Sequence, residues 1–180
     1  RAALLTGLNP QQTGVGYMTG NLGAPAYQGY LNLSSVTIAE ALRESGYTTL
    51  MSGKWHVGSD YDLKNPDAWS PGDPTHPIPT QRGFDRFYGI VAGAASYFYP
   101  LTLMRDDQFI PLSPEGFYLT DAISDAAVEM IDGASSADKP FFLHLSYTSP
   151  HWPLHALEED IARYETVYRQ GWDALRTGRH

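Results

Sequence analysis

The spacing of apolar residues divides the chain into helical and strand-like segments. Ala2-Ala3-Leu4-Leu5 reads as the inside of a helix over residues 1–5 that stops at Thr6-Gly7, and a loop with Gly14, Gly16, Gly20, Gly23 and Gly29 follows. Thr37-Ile38-Ala39-Glu40 has the spacing of a capping box, in which the threonine hydroxyl and the glutamate carboxylate each take a free amide of the first turn. Ile38 and Leu42, four apart, predict an apolar face on that helix, and Gly46 predicts its stop. Residues 47–51 are short and rich in β-formers, and 84–90 are aromatic and strand-like, so both predict strands. Between them, residues 62–83 hold five prolines and few apolar side chains, the mark of a loop or insertion. A stripe at Ala122, Ile123, Ala126, Ala127, Met130 and Ile131 predicts a helix over residues 120–131, ended by Gly133. Residues 141–147 are nearly all apolar, as a strand buried on both faces would be, and a polar helix is expected over 157–168.

Two helix-then-strand units joined by short loops predict an α/β architecture with a parallel sheet, whose sites lie just beyond the carboxyl ends of the strands. That rule singles out the residues after Met51 and after Tyr147. Gly53-Lys54-Trp55-His56-Val57-Gly58 follows the first. If extended geometry continues, alternation puts Lys54 and His56 on one face and Trp55 on the other. An ammonium and an imidazole so placed, between glycines that permit close approach, suit a tetrahedral oxyanion. The same residues are also compatible with a surface lysine and a hydrogen-bonded histidine beside a buried tryptophan. Ser149-Pro150-His151-Trp152-Pro153-Leu154-His155 follows the second strand. Each proline fixes its own φ and biases its predecessor towards extended geometry, so His151 is held between two stiffened positions, either for acid catalysis or as part of a structural turn. His155 is open as a second site residue but reads more readily as solvated or capping, and His144 as a satisfied core or sheet-face histidine. His76 and His180 carry no case for chemistry.

Composition narrows these options. With 42% hydrophobic and 18% charged residues the chain is globular in character rather than disordered, and its 180 residues fit one domain or part of a larger one. The net charge of −8 argues against a nucleic-acid backbone as partner. The absence of cysteine excludes disulfides, thiolate nucleophiles and cysteine-type zinc sites within the chain. No apolar run approaches the roughly 18–20 residues that span a bilayer. Asp106-Asp107 lacks a third acidic partner at a recognisable spacing and reads as a turn, not a metal pair. Glu158-Glu159-Asp160 is explained by the positive end of a helix dipole. The 12 Tyr, 7 Phe and 4 Trp are dispersed along the chain, which favours packing over a carbohydrate platform. The start at Arg1, already inside a helical pattern, reads as the interior of a longer protein.

Four motifs in order resemble the sulfatase family of the alkaline-phosphatase-like superfamily. Arg1-Ala2-Ala3-Leu4-Leu5-Thr6-Gly7 is similar to the tail of the signature (Cys or Ser)-x-Pro-x-Arg followed by Leu-Leu-Thr-Gly. Gly46-Tyr47-Thr48-Thr49 through Gly58 resembles the second signature, and Arg82-Gly83-Phe84-Asp85 with Phe87-Tyr88-Gly89, then Ser149–Pro153, fit the order of arylsulfatases. The resemblance implies a mixed, largely parallel sheet flanked by helices, with residues 1–180 as the central portion of one catalytic domain truncated at both ends. It implies a sulfuric ester hydrolase whose nucleophile is a formylglycine, made by a maturation enzyme from a residue four positions before Arg1.

By the same resemblance, Arg1 steadies the formylglycine, Lys54 binds a sulfate oxygen, His56 contacts the formylglycine hydroxyl, and His151 binds sulfate and assists the leaving oxygen. Calcium or another divalent cation is implied, with an Asp-Asp pair ahead of Arg1 and an Asp-Asn pair and second lysine beyond His180, so no metal ligand is expected in this chain. Leu8 and Gln11-Gln12 depart from the basic residues or histidine frequent there. A small-molecule or glycan sulfate ester is the expected substrate, and a periplasmic or secreted location follows from the resemblance. Phosphonate or phosphate monoester hydrolysis on the same superfamily scaffold, or non-catalytic binding of sulfated glycans, stay open as alternatives. These 180 residues by themselves are expected to be inactive and to fold poorly, because neighbouring strands would be missing.

Overall fold

In the computed structural model, residues 1–62, 64, 65, 68, 70–111 and 116–179 are described; Pro66, in the proline-rich segment, and His180 lie outside them. The elements run α1 (Ala2–Thr6), α2 (Pro10–Thr13), α3 (Ile38–Glu44), β1 (Thr48–Gly53), β2 (Arg86–Ile90), β3 (Leu103–Arg105), β4 (Gln108–Phe109), α4 (Leu119–Ser135), β5 (Phe141–Ser146), α5 (Glu158–Tyr164) and α6 (Trp172–Arg179). One five-stranded sheet has the order β4-β3-β2-β1-β5. β1 lies parallel to both β2 and β5, whereas β3 and β4 are added antiparallel. The fold is therefore α/β, a mixed sheet flanked by helices. No described helix is long and apolar enough to cross a membrane.

Strand alternation builds a core on each face of the sheet. Met51, Phe87 and Met104 face one side, where they join Leu5, Ala39, Trp55, Val57 and Phe84. Leu50, Tyr88 and Leu103 face the other and pack against Leu119, Ile123, Ala126 and Met130 of α4. The α3 capping box forms as the spacing predicts: Glu40 N–H donates to Thr37 Oγ1 at 3.0 Å, and Thr37 N–H to Glu40 Oε2 at 2.7 Å. The same glutamate takes Arg82 Nε at 2.9 Å, which ties α3 to the end of the proline-rich segment.

Several expectations need correction. α3 rests on the core through Ala39 (0% exposed), while Ile38 is 42% exposed, so its contact face is turned from the expected one. α4 runs through Gly133 to Ser135, because Ala134 behind the glycine is buried against the sheet and its packing outweighs the cost of one glycine. β5 is not buried on both faces: among the described residues it pairs with β1 alone, and Phe141 (38%) and Leu145 (41%) stay exposed. The predicted helix over 157–168 ends as α5 at Tyr164, and α6 was not foreseen. The hairpin of β3 and β4 was missed too, since three- and two-residue strands have no readable period; Asp106 sits in its turn, at φ 55°. The end of the proline-rich segment is not a mere insertion, for Ile78 and Arg82 are buried.

Candidate active site

β1 and β5 end side by side, and their carboxyl ends carry the residues in question. Gly53, at φ 123°, lies so close to β5 that a Cβ there would stand 2.0 Å from the Ser146 carbonyl oxygen, which only glycine allows. The chain then runs between its neighbours: Lys54 N–H donates to Ser146 O at 2.8 Å, Trp55 N–H to Ile90 O at 2.9 Å, and His56 N–H to Val91 O at 3.2 Å. Trp55 turns into the core, its indole N–H bonded to Pro77 O at 2.7 Å and its ring edge-on to Phe84.

Lys54 and His56 do share a side, but not by strand alternation. The strand has already ended at Gly53, and His56 adopts a left-handed φ of 52°. Its ring lies against Gly93, where a Cβ would come within 2.3 Å of Nε2. Arg1 reaches the same place by donating from Nη1 to the Lys54 carbonyl at 2.7 Å, and Ser146 Oγ donates to that oxygen at 2.9 Å.

The fourth residue arrives from β5. His151 N–H closes a turn onto Thr148 O at 3.0 Å, between cis peptides at Ser149–Pro150 and Trp152–Pro153. Its Nδ1 lies 2.6 Å from Trp152 O. A carbonyl only accepts, so Nδ1 carries the proton and Nε2 is the nitrogen left for a ligand. Arg1, Lys54, His56 and His151 line one cavity of about 310 Å³ with Ala2, Pro10, Val15, Met18 and Val57. A larger hollow of about 490 Å³ along α6 is lined by Tyr168, Trp172, Leu175, Arg176 and Arg179; it has no histidine or lysine, and Asp173 already pairs with Arg176.

The electrostatics of the smaller cavity are one-sided. Lys54 is 4% exposed, and no carboxylate pairs with it or with Arg1 among the described residues. Burial, then the Arg1 charge, pushes the Lys54 ammonium down to about 8. Burial lowers His56 to about 4, with Lys54, Arg1 and His151 adding to the effect and Asp60 opposing it. At neutral pH, His56 is therefore neutral while Lys54 is mostly charged. A bound anion would offset the repulsion that adds to burial in depressing both groups.

The residues present do not fit a calcium ion: among those described, no group of three or more His, Asp or Glu side chains comes together to hold one. Asp106 instead accepts Arg86 Nε at 3.1 Å and Phe87 N–H at 2.9 Å.

Of the other histidines, His144 lies half-buried on the sheet face against Phe84, and His76 bonds within its own turn to Asp73. His155 is neither solvated nor a cap: its Nδ1 accepts the Tyr97 N–H at 3.3 Å, under the rings of Tyr97 and Phe98. The apolar wall of Pro10, Val15 and Met18 escaped the sequence reading, because a glycine-rich loop has no period to show which side chains turn inward.

A family model described as Sulfatase matches residues 1–179. The chain belongs to the sulfatase family. An arylsulfatase of Klebsiella aerogenes is 33% identical over 186 residues, covering 96% of this chain and 37% of that protein. Human arylsulfatase A is 29% identical over 174 residues, covering 85% of this chain and 31% of its own length. Among solved structures, Ps i-CgsB matches with a TM-score of 0.71 and 30% identity over 93% of this chain and 37% of that one; it has also been solved with k-i-k-neocarrahexaose. This sulfatase chain thus spans about a third of the length of such relatives.

Proposed function

We propose that these residues form the anion-holding and proton-handling side of a sulfuric ester hydrolase, as the central part of one sulfatase catalytic domain. The observation that carries this reading is the meeting of Arg1, Lys54, His56 and His151, from three distant stretches of chain, on one cavity. Hydrolysis breaks the bond from sulfur to the organic oxygen, puts an oxygen from water on sulfur, and delivers a proton to the leaving oxygen. Negative charge grows on the sulfuryl and leaving oxygens, and fixed donors in a water-poor site stabilise it.

In this reading Arg1 and Lys54 hold the sulfuryl oxygens, with the Arg1–Lys54 carbonyl bond fixing their relative placement. His151 presents Nε2 to the leaving oxygen, because Nδ1 is committed to Trp152 O; a protonated His151 donates from Nε2 as the sulfur–oxygen bond breaks. His56, neutral beside two cations, is the acceptor for a proton on the attacking side. The resemblance assigns the attacking oxygen to a formylglycine ahead of Arg1, which a maturation enzyme would make, and a polarising role to calcium, for which these residues are expected to supply no ligand. A periplasmic or secreted setting and a glycan or aryl sulfate as substrate belong to the same proposal.

The test is turnover by the full-length protein that contains this chain, on 4-nitrophenyl sulfate and on 4-nitrophenyl phosphate, with a sulfated glycan as binding probe. Faster release from the sulfate ester supports the reading. Preference for the phosphate would move it to phosphate monoester chemistry, and glycan binding without turnover of either ester would replace catalysis with recognition.

A further inference from the structure

Tyr97 lies in the loop between β2 and β3, far in sequence from every residue assigned above, yet all three of its polar groups are committed to the site's surroundings. Its hydroxyl donates to the His151 carbonyl at 2.8 Å, and its N–H to His155 Nδ1 at 3.3 Å. Its carbonyl accepts Leu119 N–H at 2.7 Å, where α4 begins. At 1% exposed, Tyr97 is among the most buried large side chains, and a buried phenol is costly unless its hydroxyl is bonded. The bond it makes is to the peptide that joins His151 to Trp152. The next carbonyl along, that of Trp152, then takes the His151 Nδ1 proton.

His155 completes the bracket. With Nδ1 accepting from Tyr97, its ring lies edge-on to Tyr97 at 5.8 Å and tilted against Phe98 at 5.5 Å, and Phe98 packs on Tyr118 at 5.4 Å. The loop that carries His151 is thus held at two points from the imidazole onward, at the His151 carbonyl and at the His155 ring. His151 itself is exposed, so besides this bracket its direction rests on the Nδ1 bond to Trp152 O and on the turn that its N–H closes onto Thr148 O.

We infer that Tyr97 is a positioning residue: its hydroxyl, through the His151 carbonyl, aims His151 Nε2 at the leaving oxygen of the ester. The inference rests on the hydrolase reading. A donor that is misaimed matters most where the leaving oxygen most needs its proton, so the effect must depend on the leaving group.

The experiment compares wild type and Tyr97→Phe of the full-length protein on phenyl sulfate, a poor leaving group, and 4-nitrophenyl sulfate, a good one, with inorganic sulfate as competitive inhibitor. Loss of one hydrogen bond should lower kcat about tenfold on phenyl sulfate and no more than about twofold on the nitrophenyl ester, with the sulfate inhibition constant unchanged within about twofold. An equal loss on both esters, or none, would overturn the role of Tyr97 while leaving the hydrolase reading intact. Wild type inert on both esters would remove that reading and this inference with it. Should Tyr97→Phe fail to fold, His155→Asn decides: it keeps an acceptor for the Tyr97 N–H but removes the ring beneath Phe98. The same selective loss on phenyl sulfate supports the bracket, and a uniform loss or none overturns it.

Discussion

The arm that follows β1 and the arm that follows β5 meet at one cavity, but different forces hold them there. The first is a continuation of the core. Backbone bonds on both sides fix residues 54–56, Trp55 anchors them beneath the sheet, and no carboxylate among the described residues pairs with the buried Lys54. The second stands out from the sheet: His151 is exposed, and its loop is steadied by Tyr97, by the His155 ring, and by Thr120 Oγ1, 3.1 Å from Ser149 Oγ. Charge placed in the core costs stability and is tuned by its surroundings, whereas a group on a braced surface loop is tuned mainly by its aim. Removing the Lys54 charge should therefore change turnover and stability together, whereas removing the His151 ring should change turnover alone.

Lys54 carries the largest expected effect. Replacing it with Met keeps most of the volume and deletes the ammonium, so kcat/KM on 4-nitrophenyl sulfate should fall by roughly 10²–10³. Stability should not fall with it. An unpaired buried cation beside Arg1 opposes folding, so K54M should melt at or above the wild-type temperature by calorimetry. A lower melting temperature together with retained turnover would reverse the distinction between the arms. The lysine also gives a pH signature. Its folded value of about 8 lies below its ordinary 10.5, so the unfolded state binds more protons between these values and stability rises with pH there. K54M should lose that rise.

His151→Ala is expected next in size, with a loss of about 10² in kcat on phenyl sulfate and a smaller one on the nitrophenyl ester. An exposed ring contributes little packing, so its melting temperature should match wild type. If His151→Ala were strongly destabilised, or slowed both esters alike, the β5 arm would be structural rather than a proton donor.

The two arms were not equally legible in the sequence. Lys54, His56 and His151 stood out because titratable residues beside glycine or proline at strand ends are unusual, and the sheet rule pointed at both places. The alternation argument put Lys54 and His56 together for a reason the structure does not keep: the left-handed turn at His56 does what an extended strand was expected to do. Tyr97, and the bonds that tie it to His151 and His155, were invisible for a different cause. Their bonds join residues more than fifty positions apart through a loop without period, and no local pattern records such a pairing. The same limit hid the β3–β4 hairpin. It also made β5 look deeply buried, since an apolar run reports what a strand is able to pack against and not how many neighbours it has.

An anion should strengthen the comparison. Inorganic sulfate that binds only the folded state stabilises it by about 2.7 kcal/mol at a hundred times its dissociation constant. Most of that gain should disappear in K54M and only a smaller part of it in His151→Ala, as read by melting temperature against sulfate concentration. Equal protection in all three proteins would place the bound anion elsewhere.

The smallest effect is the acid limb of stability. His56 sits at about 4 in the folded chain against an ordinary 6.5, with burial as the main cause and Lys54 and Arg1 adding to it. Between those values the unfolded state binds the extra proton, so stability falls as pH drops from 6.5 towards 4. The slope from this group is less than one proton. Replacing His56 with Gln, which has no proton to gain, should flatten that slope when melting temperature is followed across the window. Saturating sulfate should flatten it in wild type as well, because a bound anion raises His56 towards its ordinary value and narrows the gap. A slope that stays the same in both cases would mean that His56 does not feel the cavity's charge, and the shared electrostatics of the β1 arm would then have to be redrawn.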